Sequence, residues 1–160
     1  MSTRYWSAYG YGIDTADIHV NANDILKYVQ RHNNPLYNDI VEEMQLADIP
    51  FDEEDEIFDF FEENDNFGFC EQGGGYGILS IVARILRMET NISFGYYRNG
   101  ESNAEALMFT AQFPWLLSKE EKNVSEKDIE EILRNAFSEI IGTGEAEKLD
   151  FGYIEIEFWG

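Results

Sequence analysis

Between Arg31 and Arg84 the chain has no Lys or Arg, yet the interval holds fourteen carboxylates, eight of them within residues 52–63 (DEEDEIFDFFEE). Ionised carboxylates are costly to remove from water, so a fold has to turn them outward and bury whatever lies between them. Ile57, Phe58 and Phe61 lie between them at helical spacing. The block therefore predicts a helix over residues 53–63 with those three side chains inward.

A chain of 160 residues is long enough to bury a core without crosslinks. A hydrophobic share of 44% with 15% aromatics is far too rich for a disordered acidic tail. The net charge of −21 exceeds the roughly 2 to 8 units that keep a small domain soluble, and the excess repels itself in the folded state. Cys70 is the only cysteine, which excludes an intrachain disulfide and a four-cysteine zinc site and points to a reducing compartment. The first residues lack a basic region followed by an apolar stretch, and no segment reaches the roughly 18 apolar residues of a membrane span. The expectation is a single cytoplasmic domain over residues 1–160. Direct binding to nucleic acid or to an anionic membrane is disfavoured, because both depend on Lys and Arg. The expected partner is a basic protein.

The pattern along the chain predicts an α+β fold with about four antiparallel strands and four or five packed helices. Residues 5–13 alternate, with Tyr5, Tyr9, Tyr11 and Ile13 on one side and Trp6, Ala8, Gly10 and Gly12 on the other, which reads as a first strand. Residues 21–32 carry Ile25, Tyr28, Val29 and His32 at helical spacing, with Asn21 as N-cap and Asp24 in the first turn. The run Asn33, Asn34, Pro35 ends that helix. A second helix over 37–46 points Ile40, Val41 and Met44 inward, and Pro50 separates it from the acidic helix. Residues 78–88 are apolar nearly all round and predict a buried helix. Residues 91–97 and 106–113 read as paired strands across an Asn99-Gly100 turn. Ser125 and Asp128 open an amphipathic helix whose stripe is Ile129, Ile132, Leu133, Ala136, Phe137 and Ile140, with Gly142 past its end. Residues 151–159 set Ile154, Ile156 and Phe158 against Glu155 and Glu157, a strand with one buried face.

Among chemical motifs the acidic block dominates. If residues 52–63 are helical they advance about 17 Å, which places a carboxylate at about every 2 Å of axis. Duplex DNA carries a charge about every 1.7 Å. Asp52, Glu53, Glu54, Asp55, Glu56, Asp59, Glu62, Glu63 and Asp65 are therefore the candidate partner-binding face. A solvated face that serves only solubility, or an adaptation to high salt, is the plainer use of such a block. An EF-hand alignment on Gly68 puts Phe67 at the fifth ligand position and Gly74 at the twelfth, so a dedicated calcium loop fails. The run Gly73, Gly74, Gly75 and Gly77 matches no phosphate-binding signature and reads as a turn before a buried helix. Cys70, His19 and His32 are the nucleophilic and acid–base candidates, but no signature surrounds them; Cys70 reads as a packed small hydrophobe and His32 as a helix C-terminal partner. Phe113, Pro114 and Trp115 precede Ser118 and Glu121, which have the spacing of a capping box. No cofactor, metal or catalytic residue is expected, and the chain reads as a binding protein, not an enzyme.

The opening Tyr5-Trp6-Ser7-Ala8-Tyr9-Gly10-Tyr11-Gly12-Ile13, with Phe113-Pro114-Trp115 ahead of the helix from Ser125, resembles small acidic proteins of phages and mobile elements. Such proteins include anti-CRISPR proteins and other inhibitors that imitate DNA, so the resemblance implies an inhibitory role without assigning it to particular residues. The expected function is nucleic-acid mimicry that occupies the basic cleft of a nucleic-acid-binding host or defence protein. An immunity protein that blocks a cationic toxin such as a nuclease uses the same binding mode. A small hydrolase or ligand-binding module built on Cys70 and the glycine run is the alternative of a different class.

Overall fold

The first strand of the chain lies inside the sheet, and the last strand closes beside it. The computed structural model describes residues 5–64, 77–99, 102–110 and 117–159. Strand β1 (Tyr5–Asp14) is followed by helices α1 (Ala22–His32), α2 (Asn34–Leu46), α3 (Glu54–Glu63) and α4 (Leu79–Thr90). Strands β2 (Phe94–Asn99) and β3 (Ala104–Thr110), helix α5 (Glu126–Ile141), the short α6 (Thr143–Ala146) and β4 (Phe151–Trp159) complete the chain. The four strands form one antiparallel sheet in the order β2-β3-β1-β4. The expected α+β architecture is the one observed, and among the described residues no helix is long and apolar enough to cross a membrane.

Local chemistry explains most element ends. Asn33 both follows α1 and caps α2, its side chain accepting from the Leu36 amide at 3.1 Å. Pro35 then falls in the first turn of α2, where a missing N–H costs nothing, so α2 begins three residues earlier than its apolar spacing indicated. Val41 is only half-buried, and Leu36 takes the third inward position beside Ile40 and Met44. Asn21 precedes α1 as expected but makes no side-chain cap bond to the helix; its amide reaches Asp24 instead. Ser125 and Asp128 form a reciprocal capping box on α5. Ser118 and Glu121 form another, and it opens a single 3-10 turn over Glu121–Asn123.

The sheet is apolar on both faces. Tyr11, Ile13, Phe94, Tyr96 and Leu107 face the helices and join the main core with Ile25, Tyr28, Ile57, Phe61, Ile81 and Phe137. The expected buried helix is there: Leu79, Ser80, Ile81, Val82, Ala83, Ile85 and Leu86 of α4 are all buried. On the other face Ala8, Tyr97, Ala106, Met108 and Ile156 form a second buried cluster, with Ile154 packed against it. Ile154 and Ile156 are thus inward-facing as the alternation indicated, but toward the side of the sheet away from the helices. Strand curl accounts for this second core. The two edge strands approach each other at one end, where the Asn99 side chain donates to the Glu157 carbonyl. Glycine makes the curl feasible, since a Cβ on Gly12 would lie 2.3 Å from the Leu107 carbonyl oxygen and one on Gly10 equally close to that of Phe109.

Candidate anionic binding face

Helix α3 is fixed to the protein by two side chains a turn apart. Ile57 is 0% exposed and Phe61 1%, while Phe58 and Phe60 pack half-buried against the same core. At about 100° per residue, that anchor sends Asp55, Glu56, Asp59, Glu62 and Glu63 into an arc of about 120° on the opposite side, and all five are exposed. Asp52 and Glu53 are exposed just ahead of the helix, Glu53 as its N-cap without a side-chain cap bond. Glu54 is half-buried and sits on the flank of the anchor. Asp65 lies outside the described residues.

Two departures from the expected ridge emerge. The helix holds six carboxylates over ten residues, one per about 2.5 Å of axis, thinner than a duplex. One of them is also compensated from a distant strand. The Arg98 guanidinium of β2 meets Glu62 in a two-pronged pair, Nη1 to Oε1 at 2.7 Å and Nη2 to Oε2 at 2.6 Å. Arg98 is held in its charged form by those hydrogen bonds, which outweigh its partial burial. The pair has a structural logic: acids in the first turn of α3 (Glu54, Asp55, Glu56) favour the helix dipole, whereas Glu62 in the last turn opposes it. Helix α2 adds exposed Asp39, Glu42 and Glu43, which belong to the same base-free stretch of sequence.

The other chemical candidates are dispersed. Cys70, Gly68 and Gly73 to Gly75 lie outside the described residues, as do Gly100 and the corner Phe113-Pro114-Trp115. His19 is exposed on the rim of an open groove of about 870 Å³, where Asp14, Asp17, Asp24 and Lys148 also contribute. His32, expected as a partner for the end of α1, does more than that. Its Nδ1 lies 2.9 Å from Glu89 of α4 and its Nε2 2.7 Å from Glu139 of α5, with the ring packed on Tyr28. Two carboxylates can both accept from the ring only when it is protonated. Burial works against that charge, but the hydrogen bonds to Glu89 and Glu139 prevail and the pKa is raised. Among the described residues no group of three or more His, Cys, Asp or Glu side chains is arranged to hold a metal ion.

A polar stripe on α5 was not read from the sequence, because its partners come from other strands. Glu126, Glu130 and Arg134 recur every four residues and therefore share one face of the helix. Glu126 accepts from the Tyr153 hydroxyl at 2.6 Å, Glu130 accepts from the Tyr11 hydroxyl, and Arg134 lies 4.8 Å over the Phe151 ring. The bond to Glu130, with burial, pushes the Tyr11 pKa up to about 12. The alternation of tyrosines in residues 5–11 was the available signal, yet nothing local identifies which helix supplies the acceptors.

Set against known proteins, the chain matches no family model, no curated protein and no solved structure.

Proposed function

We propose that this protein is an acidic inhibitor that mimics nucleic acid and occupies the basic cleft of a nucleic-acid-binding host or defence protein in the cytoplasm. The observation that carries the reading is the arc of exposed carboxylates on α3, held rigid by buried Ile57 and Phe61. A nucleic-acid site presents Lys and Arg spaced to meet phosphates, and a helix with acids on one face offers the same sign of charge from a fixed platform. The absence of Lys and Arg from residues 32–83 removes local competition for that partner. Glu62, already engaged by Arg98, belongs to the support of the face, and Asp55, Glu56, Asp59 and Glu63 are its contact residues. The resemblance of the opening strand to small acidic phage proteins is consistent with an anti-CRISPR-like role. Neither a catalytic residue nor a cofactor enters the proposal.

Charge steering of this kind speeds encounter and weakens steeply with salt. The test is displacement of a labelled DNA duplex from purified RNA-guided nucleases and other DNA-binding nucleases. The expected result is displacement by the wild-type protein at low salt, weakened about tenfold or more by salt at about 0.3 M, and abolished by Asp55→Lys/Asp59→Lys/Glu63→Lys. Equal displacement by that variant, with its fold intact, would overturn the assignment of the face.

A further inference from the structure

A second surface, independent of α3, carries the features of a guanidinium-binding site. It lies on the helix-facing side of the sheet beyond the N-terminal end of α5, where β1 and β4 run together. Tyr9 and Tyr153 are each 58% exposed, among the few large hydrophobic or aromatic side chains left open to solvent among the described residues. Their rings stack 5.6 Å apart at 8° to each other, and Tyr11 meets Tyr153 edge-on at 4.9 Å. Hydroxyl bonds fix this platform: Tyr153 donates to Glu126 and Tyr11 to Glu130. Rings held in one place lose little entropy when a partner settles on them.

The charge around the rings selects the occupant. Glu155 stands directly across from Tyr9 in the β1–β4 register, so its carboxylate and the Tyr9 ring share a face. Glu126 and Glu130 border the same rings from α5. A cation resting on Tyr9 would meet both the negative face of the ring and a neighbouring carboxylate. A guanidinium already rests on a ring two residues away on β4, where Arg134 covers Phe151. A planar guanidinium stacks on a ring while its edge donates to a carboxylate, which a compact ammonium does not do as well. We propose that the Tyr9–Tyr153 platform with Glu155 binds an arginine side chain presented by a basic protein partner.

The preference for arginine over lysine separates this site from the acidic face of α3, which acts through charge alone. The test is titration of the full-length protein with hexa-arginine and hexa-lysine peptides at about 0.3 M salt, where long-range attraction is screened. Calorimetry gives the affinities, and nuclear magnetic resonance follows the Tyr9 and Tyr153 ring protons. The expected result is binding of hexa-arginine at least about fivefold tighter than hexa-lysine, with shifts at both rings. Tyr9→Thr, which keeps a strand-favouring residue, removes the arginine preference, while Asp55→Asn/Asp59→Asn/Glu63→Gln retains it. Equal affinity for the two peptides, or an arginine preference that survives Tyr9→Thr, would overturn the proposal. Should Tyr9→Thr fail to fold, ring shifts in the wild-type titration decide the matter: unmoved Tyr9 and Tyr153 protons at saturating hexa-arginine contradict the site. Because the α3 substitutions leave this readout in place, failure here and failure of the proposed inhibitory face are distinguishable.

Discussion

Helix α5 engages most of its acids within the fold, whereas α3 turns five carboxylates to solvent and ties one of those, Glu62, to a base. On α5, Asp128 closes the capping box, Glu126 and Glu130 accept from tyrosine hydroxyls, and Glu139 holds both Arg31 and His32. The same residue types therefore do opposite work on two helices of one domain. Acids that bind inside the molecule add to its stability; acids left crowded at its surface subtract from it. Helical propensity is not the difference. What differs is whether the strands and helices opposite present donors.

The contrast fails if α3 is only a loosely attached appendage, and Phe61→Ala tests that first. Removing a fully buried ring costs about 3–5 kcal/mol when the helix is part of the core, measured by urea unfolding. A loss below about 1 kcal/mol would mean that the acidic face has no rigid support.

The clamp on His32 comes next in size. Its pKa is raised in the folded protein, so the stability it contributes is fully present below its unfolded value of about 6.5 and is lost as pH rises through the folded value. His32→Ala is expected to cost about 1 kcal/mol near pH 6 and less at about pH 9. Melting curves of wild type and variant should therefore converge with rising pH. Parallel curves would show that the imidazolium is not what joins α1, α4 and α5.

Neutralisation distinguishes the two helices by sign. Asp55→Asn/Asp59→Asn/Glu63→Gln should raise the melting temperature by about 1–3 °C, and added salt should raise that of the wild type. Glu139→Gln should lower it by a similar amount, because His32 and Arg31 lose their acceptor. The smallest effect is spectroscopic: the Tyr11 hydroxyl should keep its proton to about pH 12, followed by ultraviolet absorbance as the difference between wild type and Tyr11→Phe.

Much of this was legible locally. The helix starts at Ser118 and Ser125 and the apolar girth of α4 are each contained within a few residues of sequence and appear as their spacing indicated; of the three side chains read as inward on α3, Ile57 and Phe61 are buried and Phe58 is half-buried. The features that escaped depend on distant partners. Arg98 lies 36 residues from Glu62, and the acceptors of His32 lie 57 and 107 residues away. The second core behind the sheet was hidden for a related reason: alternation in β4 shows that Ile154 and Ile156 share a face but cannot show which layer that face meets. Left-handed Asp48, Asn91 and Asn103 were also missed, although short amide and carboxylate side chains are those that tolerate φ near +57°.

The central claim is that the exposed carboxylates of α3 act together as a substitute for a phosphate backbone. Displacement of a labelled duplex from a DNA-binding nuclease, compared between wild type and Asp55→Lys/Asp59→Lys/Glu63→Lys across a salt series, tests it most directly. Strong, salt-sensitive displacement by the wild type and none by a variant that melts normally is the expected result. Displacement that ignores both salt and the three reversals would contradict it.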